Sequence, residues 1–104
     1  MYDLHAAVKL NRKRLEKQFH DADRKKHQWL IECRDLGDAY EEDAGVYFVV
    51  CETEETVNQM ITDMTDDNIY ERVLGIFDLR RPLEEQGVGL TRAEWITGVR
   101  SRSR

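Results

Sequence analysis

The sequence predicts an α+β fold with the element order βαββαβ, an antiparallel sheet, both main helices on one face and a short C-terminal helix. Three observations lead to this prediction. Residues 45–82 show the hydrophobic periods of a strand, a helix and a second strand. A short acidic loop joins this unit to an earlier strand, and a strand and a helix precede that one. This order corresponds to the ferredoxin-like, or split βαβ, plan.

The length and composition indicate one soluble domain. At 104 residues and 40% hydrophobic content, the chain is long enough for a single core. We expect the core sheet and helices over 2–82, a terminal helix over 90–99 and a frayed tail over 100–104. No apolar run reaches the about 18 residues of a membrane span, and the N-terminus lacks the apolar segment of a signal peptide. Cys33 and Cys51 are expected to be buried, reduced thiols, and these features together indicate a cytoplasmic protein.

The N-terminal segment is interpreted as a strand followed by a helix. Apolar and polar residues alternate over Tyr2–Leu10, which is typical of a half-buried strand. Over 11–26 the spacing of apolar residues changes to four and three, so we predict an amphipathic helix with Asn11 as its N-cap. The apolar stripe of this helix consists of Leu15, Phe19 and Ala22.

One long helix over 2–36 is the alternative for this segment. Apolar residues recur there at every seventh position, from Val8 to Leu36. The companion positions that would complete a heptad seam are polar. The sequence therefore favours the strand and helix, and leaves the long helix open.

The next two elements are predicted to be an antiparallel pair of strands. Gln28–Leu36 begins with an apolar run and then alternates, with Trp29 on its apolar face. The acidic loop Gly37–Ala44 is too short to hold both a helix and a strand, so the two strands that flank it are most simply an antiparallel pair. Val46–Cys51 is apolar on both faces, which predicts a central strand that is covered on both sides.

A helix, a strand and a terminal helix complete the prediction. Thr53 is the expected N-cap of the helix, with acidic residues in its first turn. Its apolar stripe consists of Val57, Met60, Ile61 and Met64. The strand Arg72–Leu79 follows, parallel or nearly parallel to the strand before the helix, with Gly75 as a bulge or close-packing point. Thr91 opens the terminal helix with a capping box.

The strand over 46–51 also predicts a homodimer. If both main helices cover one face of the sheet, apolar side chains of this strand are left on the other face. An uncovered apolar patch of that size marks an interface. A second copy, packed sheet against sheet, would cover it.

Charge is distributed unevenly along the chain, although its net value is only −5. Residues 9–26 carry eight Lys or Arg against three acids, which gives +5. Residues 32–72 carry thirteen acids against two Arg, which gives −11, and the remainder from residue 73 carries six Arg against four acids. Such asymmetry bears on partners rather than on the fold, and solvated helix faces and loops are its simplest explanation.

Three short motifs resemble one known family. Lys26–Ile31 is similar to a basic-His-x-Trp-x-Ile segment that enters the second strand of that family, and Val46–Met64 to its third strand and second helix. Arg80–Pro82 stands where the family has Arg-His-Pro. The chain thus resembles the muconolactone isomerase-like members of the dimeric α+β-barrel proteins. The family's Leu-Pro-Leu-Phe-Pro-Tyr-Met segment is replaced by MTDDNIYE over 64–71, which keeps only Tyr70.

The resemblance implies a small dimeric protein that binds an organic acid or lactone and has isomerase-like activity. It assigns the catalytic position to His27, because a histidine can move protons near neutral pH. A surface histidine in a helix-to-strand turn is the competing interpretation. The ligand-binding positions that the resemblance implies are Trp29, Tyr47, Tyr70 and Arg81.

The other functional hypothesis is a non-enzymatic regulatory or inhibitory protein that docks on a basic protein surface through its acidic face. The acidity of the middle segment makes nucleic acid an unsuitable partner, because it would repel phosphates. No histidine or cysteine stands at the spacing of a metal site, so we expect neither a metal nor another cofactor. An enclosed cavity containing His27 or Tyr47 would favour the enzyme, and a filled core with a charged face would favour the docking protein.

Overall fold

The computed structural model describes residues 4–38, 40–67 and 70–99, and shows an α+β fold with a three-stranded antiparallel sheet. The predictions for residues 1–3 and for a frayed tail over 100–104 fall outside the described residues. The elements in chain order are α1 (Leu4–Asp21), β1 (Trp29–Asp35), β2 (Val46–Cys51), α2 (Glu54–Asp67), β3 (Glu71–Asp78) and α3 (Arg92–Glu94), which continues as a π-helical turn over Trp95–Val99.

The sheet has the order β2-β1-β3, with antiparallel pairing on both sides of β1. β2 and β3 therefore run parallel to each other with β1 between them and α2 connecting them. The prediction that Val46–Cys51 is the central strand is wrong, because that position belongs to β1. β2 is apolar on both sides because it is an edge strand that lies between two helices.

Each face of the sheet is covered by a different helix. On one face, Leu15 and Phe19 of α1 pack in a cluster with Leu30 and Phe77. On the other face, Val57 and other residues of α2 pack against β1, β3 and the terminal helical turn. The prediction that both main helices share one face is therefore wrong, and the ferredoxin-like order is not reproduced.

The predicted N-terminal strand is helical throughout its described part. The buried positions of α1 are spaced by four residues along one stripe: Ala7, Asn11, Leu15 and Phe19. Because Asn11 is polar, the spacing of apolar residues in the sequence does not reveal this buried stripe. The alternation of apolar and polar residues before Asn11 does not correspond to a strand in the described part of that segment. Val8, which the strand interpretation would bury, is 60% exposed. The long-helix alternative is right for 4–21 and wrong beyond it, since β1 begins at Trp29.

The remaining elements follow their predicted patterns. β1, β2, α2 and β3 lie within one or two residues of the expected bounds. The Thr53 hydroxyl accepts a hydrogen bond from the Thr56 amide, and the predicted capping box at Thr91 is present. The β1–β3 register shifts beside Gly75, where a Cβ would lie 2.3 Å from the Val88 carbonyl oxygen. Gly75 is thus both at a bulge and at a close-packing point, as predicted.

Candidate functional site

A concave surface of about 800 Å³ opens where β1 ends and β2 begins. The end of β1, the loop to β2 and the start of β3 contribute six carboxylates to its lining, and Arg14 of α1 is the one cation among the described lining residues. We call this surface the acidic groove. Its carboxylates belong to Asp35, Asp38, Glu41, Glu42, Asp43 and Glu71.

The backbone of the loop is fixed by a turn that requires unusual conformations. Ala44 and Gly45 have φ angles of 59° and 75°, both in the left-handed region. The Asp43 carboxylate accepts a hydrogen bond of 3.0 Å from the Gly45 amide, which is the pattern of an Asx-turn. A Cβ at position 45 would lie 2.3 Å from the Asp35 carbonyl oxygen, so only glycine fits there.

Arg14 connects α1 to this loop. Its Nη1 donates hydrogen bonds to the Asp43 carboxylate at 3.1 Å and to the Val46 carbonyl at 2.9 Å. The Nδ2 of the buried Asn11 donates to the Asp43 carbonyl at 2.8 Å, and the Arg14 guanidinium carbon lies 5.1 Å from the centre of the Phe48 ring. These contacts neutralise Asp43 and hold the rim of the acidic groove in place.

Tyr47 lies inside the acidic groove and is paired with Glu71. Its hydroxyl donates a hydrogen bond of 2.6 Å to a Glu71 carboxylate oxygen. Burial and the hydrogen bond to Glu71 raise the pKa of the Tyr47 phenol far above its ordinary value. Tyr47 therefore stays protonated at neutral pH and acts as a hydrogen-bond donor.

The loop carboxylates on the outer side of the groove are open to solvent. Asp38, Glu41 and Glu42 are all exposed. Within the described ranges, no residue forms a hydrogen bond or an ion pair with any of these three side chains. Among residues 4–38, 40–67 and 70–99, no side chain compensates these three charges, so we take them as available to a partner.

A second, smaller cavity of about 310 Å³ contains two of the predicted ligand-binding residues, Trp29 and Arg81. Trp29 is buried, and its indole Nε1 has no hydrogen-bond partner in the described part of the chain. Three carboxylates also line this cavity, from Asp78, Glu85 and Glu94. We call it the Trp29 cavity.

The five predicted site residues do not form one site. Trp29 and Tyr47 point to the same face of the sheet but stand four positions apart in the β1–β2 register, which corresponds to about 13 Å. His27 is half-buried in the turn before β1 and lines neither the acidic groove nor the Trp29 cavity. Tyr70 is 58% exposed just before β3. The structure thus brings together Trp29 and Arg81 only.

The sequence also leaves several groove residues unidentified. Glu71 joins the groove because it pairs with Asp35 across the β1–β3 ladder, and local sequence gives no sign of that pairing. Arg14 belongs to the groove only because α1 packs beside β2. The acidic character of the loop itself was visible in the charge distribution along the chain.

Cys33 and Cys51 are free and buried, as the sequence predicted. Burial raises the pKa of the Cys33 thiol to about 12 and that of Cys51 to about 11. Both thiols are therefore protonated and weakly nucleophilic at neutral pH. This chemistry is that of structural cysteines.

Comparisons with family models, with curated proteins and with solved structures find no match for this chain. Across residues 4–38, 40–67 and 70–99, no three His, Cys, Asp or Glu side chains are grouped so that they could hold a metal ion. In the same ranges, no helix combines the length and the apolar character that crossing a membrane requires.

Proposed function

We propose that this protein is a non-enzymatic docking protein whose acidic groove binds a basic surface of a partner protein. The observation that supports the proposal is the set of three exposed, unpaired carboxylates at Asp38, Glu41 and Glu42, beside the further acids of the groove. Clustered charge of one sign increases the rate of encounter with an oppositely charged partner and selects against acidic ones.

The packing of the core also supports docking rather than catalysis. Helices cover both faces of the sheet, and Tyr47 faces an open groove in which its hydroxyl is already bonded to Glu71. His27, the proposed proton carrier of an isomerase, has no ligand cavity in common with the other predicted residues. A lactone remains a second candidate ligand, because Trp29 and Arg81 line one cavity, whereas the three carboxylates there would repel an organic acid.

A matched pair of double variants tests the docking proposal. Glu41→Gln/Glu42→Gln removes two charges from the groove, whereas Glu84→Gln/Glu85→Gln removes two adjacent charges that are also exposed but lie elsewhere. The probe is a fluorescein-labelled oligolysine peptide, and its binding is followed by anisotropy. We expect the groove variant to bind about fivefold or more weakly and the control variant to bind like the wild type. Binding of the wild type should weaken as salt is added.

Equal losses in both double variants would show that only net charge matters and would overturn the groove assignment. Unchanged peptide binding in the Glu41→Gln/Glu42→Gln variant would also overturn the groove assignment. Circular dichroism spectra of both variants establish that the fold is retained.

The homodimer stays a prediction from the sequence. It was based on an apolar sheet face without a helix, and both faces of the described sheet carry one. A dimer would therefore have to use a different surface. Sedimentation equilibrium at micromolar concentration is the measurement that tests it.

A further inference from the structure

The two edges of the sheet differ, and the β3 edge is closed along its second half, at Ile76 and Asp78. Ile76 exchanges two backbone hydrogen bonds of 2.9 Å with Leu90, which follows β3 in the chain. The Gln86 side-chain amide accepts from the Asp78 amide at 2.7 Å and donates to the Asp78 carbonyl at 2.8 Å. The outward backbone groups of β3 at these two residues are thus satisfied within the chain.

The phase of the hydrogen bonds shows which groups of β2 point outward. The Asp35 amide donates to the Gly45 carbonyl, so the odd-numbered residues of β1 bond to β2. The bonds of Leu36 to Tyr70 and of Leu79 to Gln28 place the even-numbered residues toward β3. In the β1–β2 register, odd residues stand opposite odd residues. The even-numbered residues of β2 therefore direct their N–H and C=O groups away from the sheet.

Part of this β2 edge remains open. The first outward residue, Val46, is satisfied: its amide donates to the Asp43 carbonyl, and its carbonyl accepts from Arg14. The amides and carbonyls of Phe48 and Val50 have no partner in the described part of the chain. A sheet edge with free backbone groups of this kind is a template for another strand.

A groove of about 500 Å³ runs beside the open edge, between β2 and α2. Its apolar lining includes Val49, Met60 and Met64, and methionine side chains adapt to varied apolar partners. Asp63 and Glu71 are its charged residues, and both are acidic. Because Glu71 also lines the acidic groove, the two surfaces adjoin. We call this second surface the methionine groove.

We propose that the open edge of β2 takes up an extended basic segment of a partner protein as a fourth strand. Backbone hydrogen bonds to Phe48 and Val50 would hold the segment, with its alternate apolar side chains in the methionine groove. Its Lys or Arg side chains would reach the carboxylates of the acidic groove. This inference rests on the proposed docking function and specifies how the partner binds.

Charge distinguishes a basic segment from a second copy of this chain as the occupant. In an antiparallel pairing of two β2 edges, the acidic groove at the start of one strand would meet the residues after the end of the other. Those residues include Glu52, Glu54 and Glu55. Like charges placed in this way repel each other, whereas a basic segment is attracted at both ends.

Two blocked peptides of equal charge test the binding mode. The first, Lys-Val-Lys-Val-Lys-Val-Lys, can form a strand, and the second, Lys-Pro-Lys-Pro-Lys-Pro-Lys, cannot donate from its prolines. We expect the valine peptide to bind at least about tenfold more tightly, which is the range expected for one or two lost hydrogen bonds and poorer packing. Its binding should also slow hydrogen exchange at the Phe48 and Val50 amides of the wild-type protein.

A matched pair of variants at position 50 tests the edge directly. Val50→Pro removes an outward N–H that an edge strand can do without, whereas Val50→Thr keeps both the N–H and the branched shape of the valine side chain. We expect the proline variant to lose about tenfold or more in affinity for the valine peptide, and the threonine variant to lose much less. The exchange measurement on the wild type decides the question if the proline variant fails to fold.

The outcomes separate the two proposals. If both peptides bind equally, and Glu41→Gln/Glu42→Gln weakens both, docking stands and strand addition is overturned. If neither peptide binds to the wild type at low salt, the docking function itself is overturned. Sedimentation that shows β2-dependent dimers, abolished by Val50→Pro, would assign the edge to a second copy and overturn the basic segment.

Discussion

Glu32 shows how the environment of one residue affects stability. It lies in the middle of β1, opposite Phe48 on one side and Gly75 on the other. Burial raises the pKa of its carboxyl group, although the nearby charges of Arg12 and Arg14 act in the opposite direction. The folded protein therefore binds this proton more tightly than the unfolded chain does.

Replacing this residue should change how stability depends on pH. A raised pKa in the folded state means that the contribution of Glu32 is fully present below the unfolded pKa and is lost as pH rises through the folded value. We expect Glu32→Gln to match the wild type under acidic conditions and to be more stable than it at neutral pH. Urea unfolding under acidic conditions and at neutral pH measures the difference in stability between the variant and the wild type. Glu85→Gln, at an exposed position, is the control. The prediction is wrong if the wild type is more stable than Glu32→Gln at neutral pH.

At the scale of elements, the turn between β1 and β2 determines the shape of the acidic groove. Ala44 and Gly45 are consecutive residues with positive φ, but only Gly45 lacks room for a Cβ. We therefore expect glycine to be the more stable residue at both positions, so that Gly45→Ala lowers the free energy of unfolding and Ala44→Gly raises it.

We expect Gly45→Ala to lower the free energy of unfolding by more than about 2 kcal/mol, because it adds a clash to an unfavourable φ. Ala44→Gly should raise it by up to about 1 kcal/mol, because it relieves the left-handed conformation of a residue with a Cβ. Urea unfolding curves with unchanged slopes measure both effects. Similar losses in the two variants would show that the turn has a different conformation.

The elements that the sequence predicted correctly are those whose burial is apolar and local. β1, α2 and the Thr91 capping box follow directly from hydrophobic period or cap chemistry. The first turns of α1 were assigned to a strand because one of the buried positions of this helix is Asn11, which bonds to the loop rather than packing in the core. The position of β2 was missed because a strand between two helices is apolar on both sides even at an edge.

The candidate site was also predictable only in part, because local features of the sequence show some of its residues and tertiary structure brings in the others. The acidic loop is visible in local composition, but Glu71 joins it through the register of β3, which the sequence does not determine. Trp29 and Arg81 come together because the chain turns back after β3. The open edge at Phe48 and Val50 depends on strand order, which hydrophobic periodicity does not reveal.

At the scale of the molecule, α1 covers one face of the sheet and also supports the acidic groove. The support comes from Arg14, which bonds to both the loop and the start of β2. Packing of this helix and the shape of the groove are therefore coupled, since the buried Asn11 also bonds to the loop and to Arg14.

Replacing Arg14 should weaken this coupling. We expect Arg14→Ala to lower the free energy of unfolding by about 1–3 kcal/mol, since it removes the Arg14 donor from the Val46 carbonyl and the ion pair from Asp43. Arg14→Lys should restore only part of the loss, because an ammonium group cannot reproduce the guanidinium geometry. Thermal unfolding of the three proteins gives the comparison, with the exposed Lys13→Ala as control. An unaffected Arg14→Ala variant would show that the helix is held by apolar packing alone.

The two tryptophans of the chain lie in the core, where Trp29 of β1 meets Trp95 of the terminal helical turn edge to face, with ring centres 4.7 Å apart. Trp95 donates a hydrogen bond of 2.6 Å to Asn58 of α2, whereas the indole of Trp29 has no such partner in the described residues. Indoles this close couple their electronic transitions, so their circular dichroism reports whether the terminal helical turn is packed against the sheet. This circular dichroism signal will disappear when the terminal turn leaves the sheet, even while the strands remain paired.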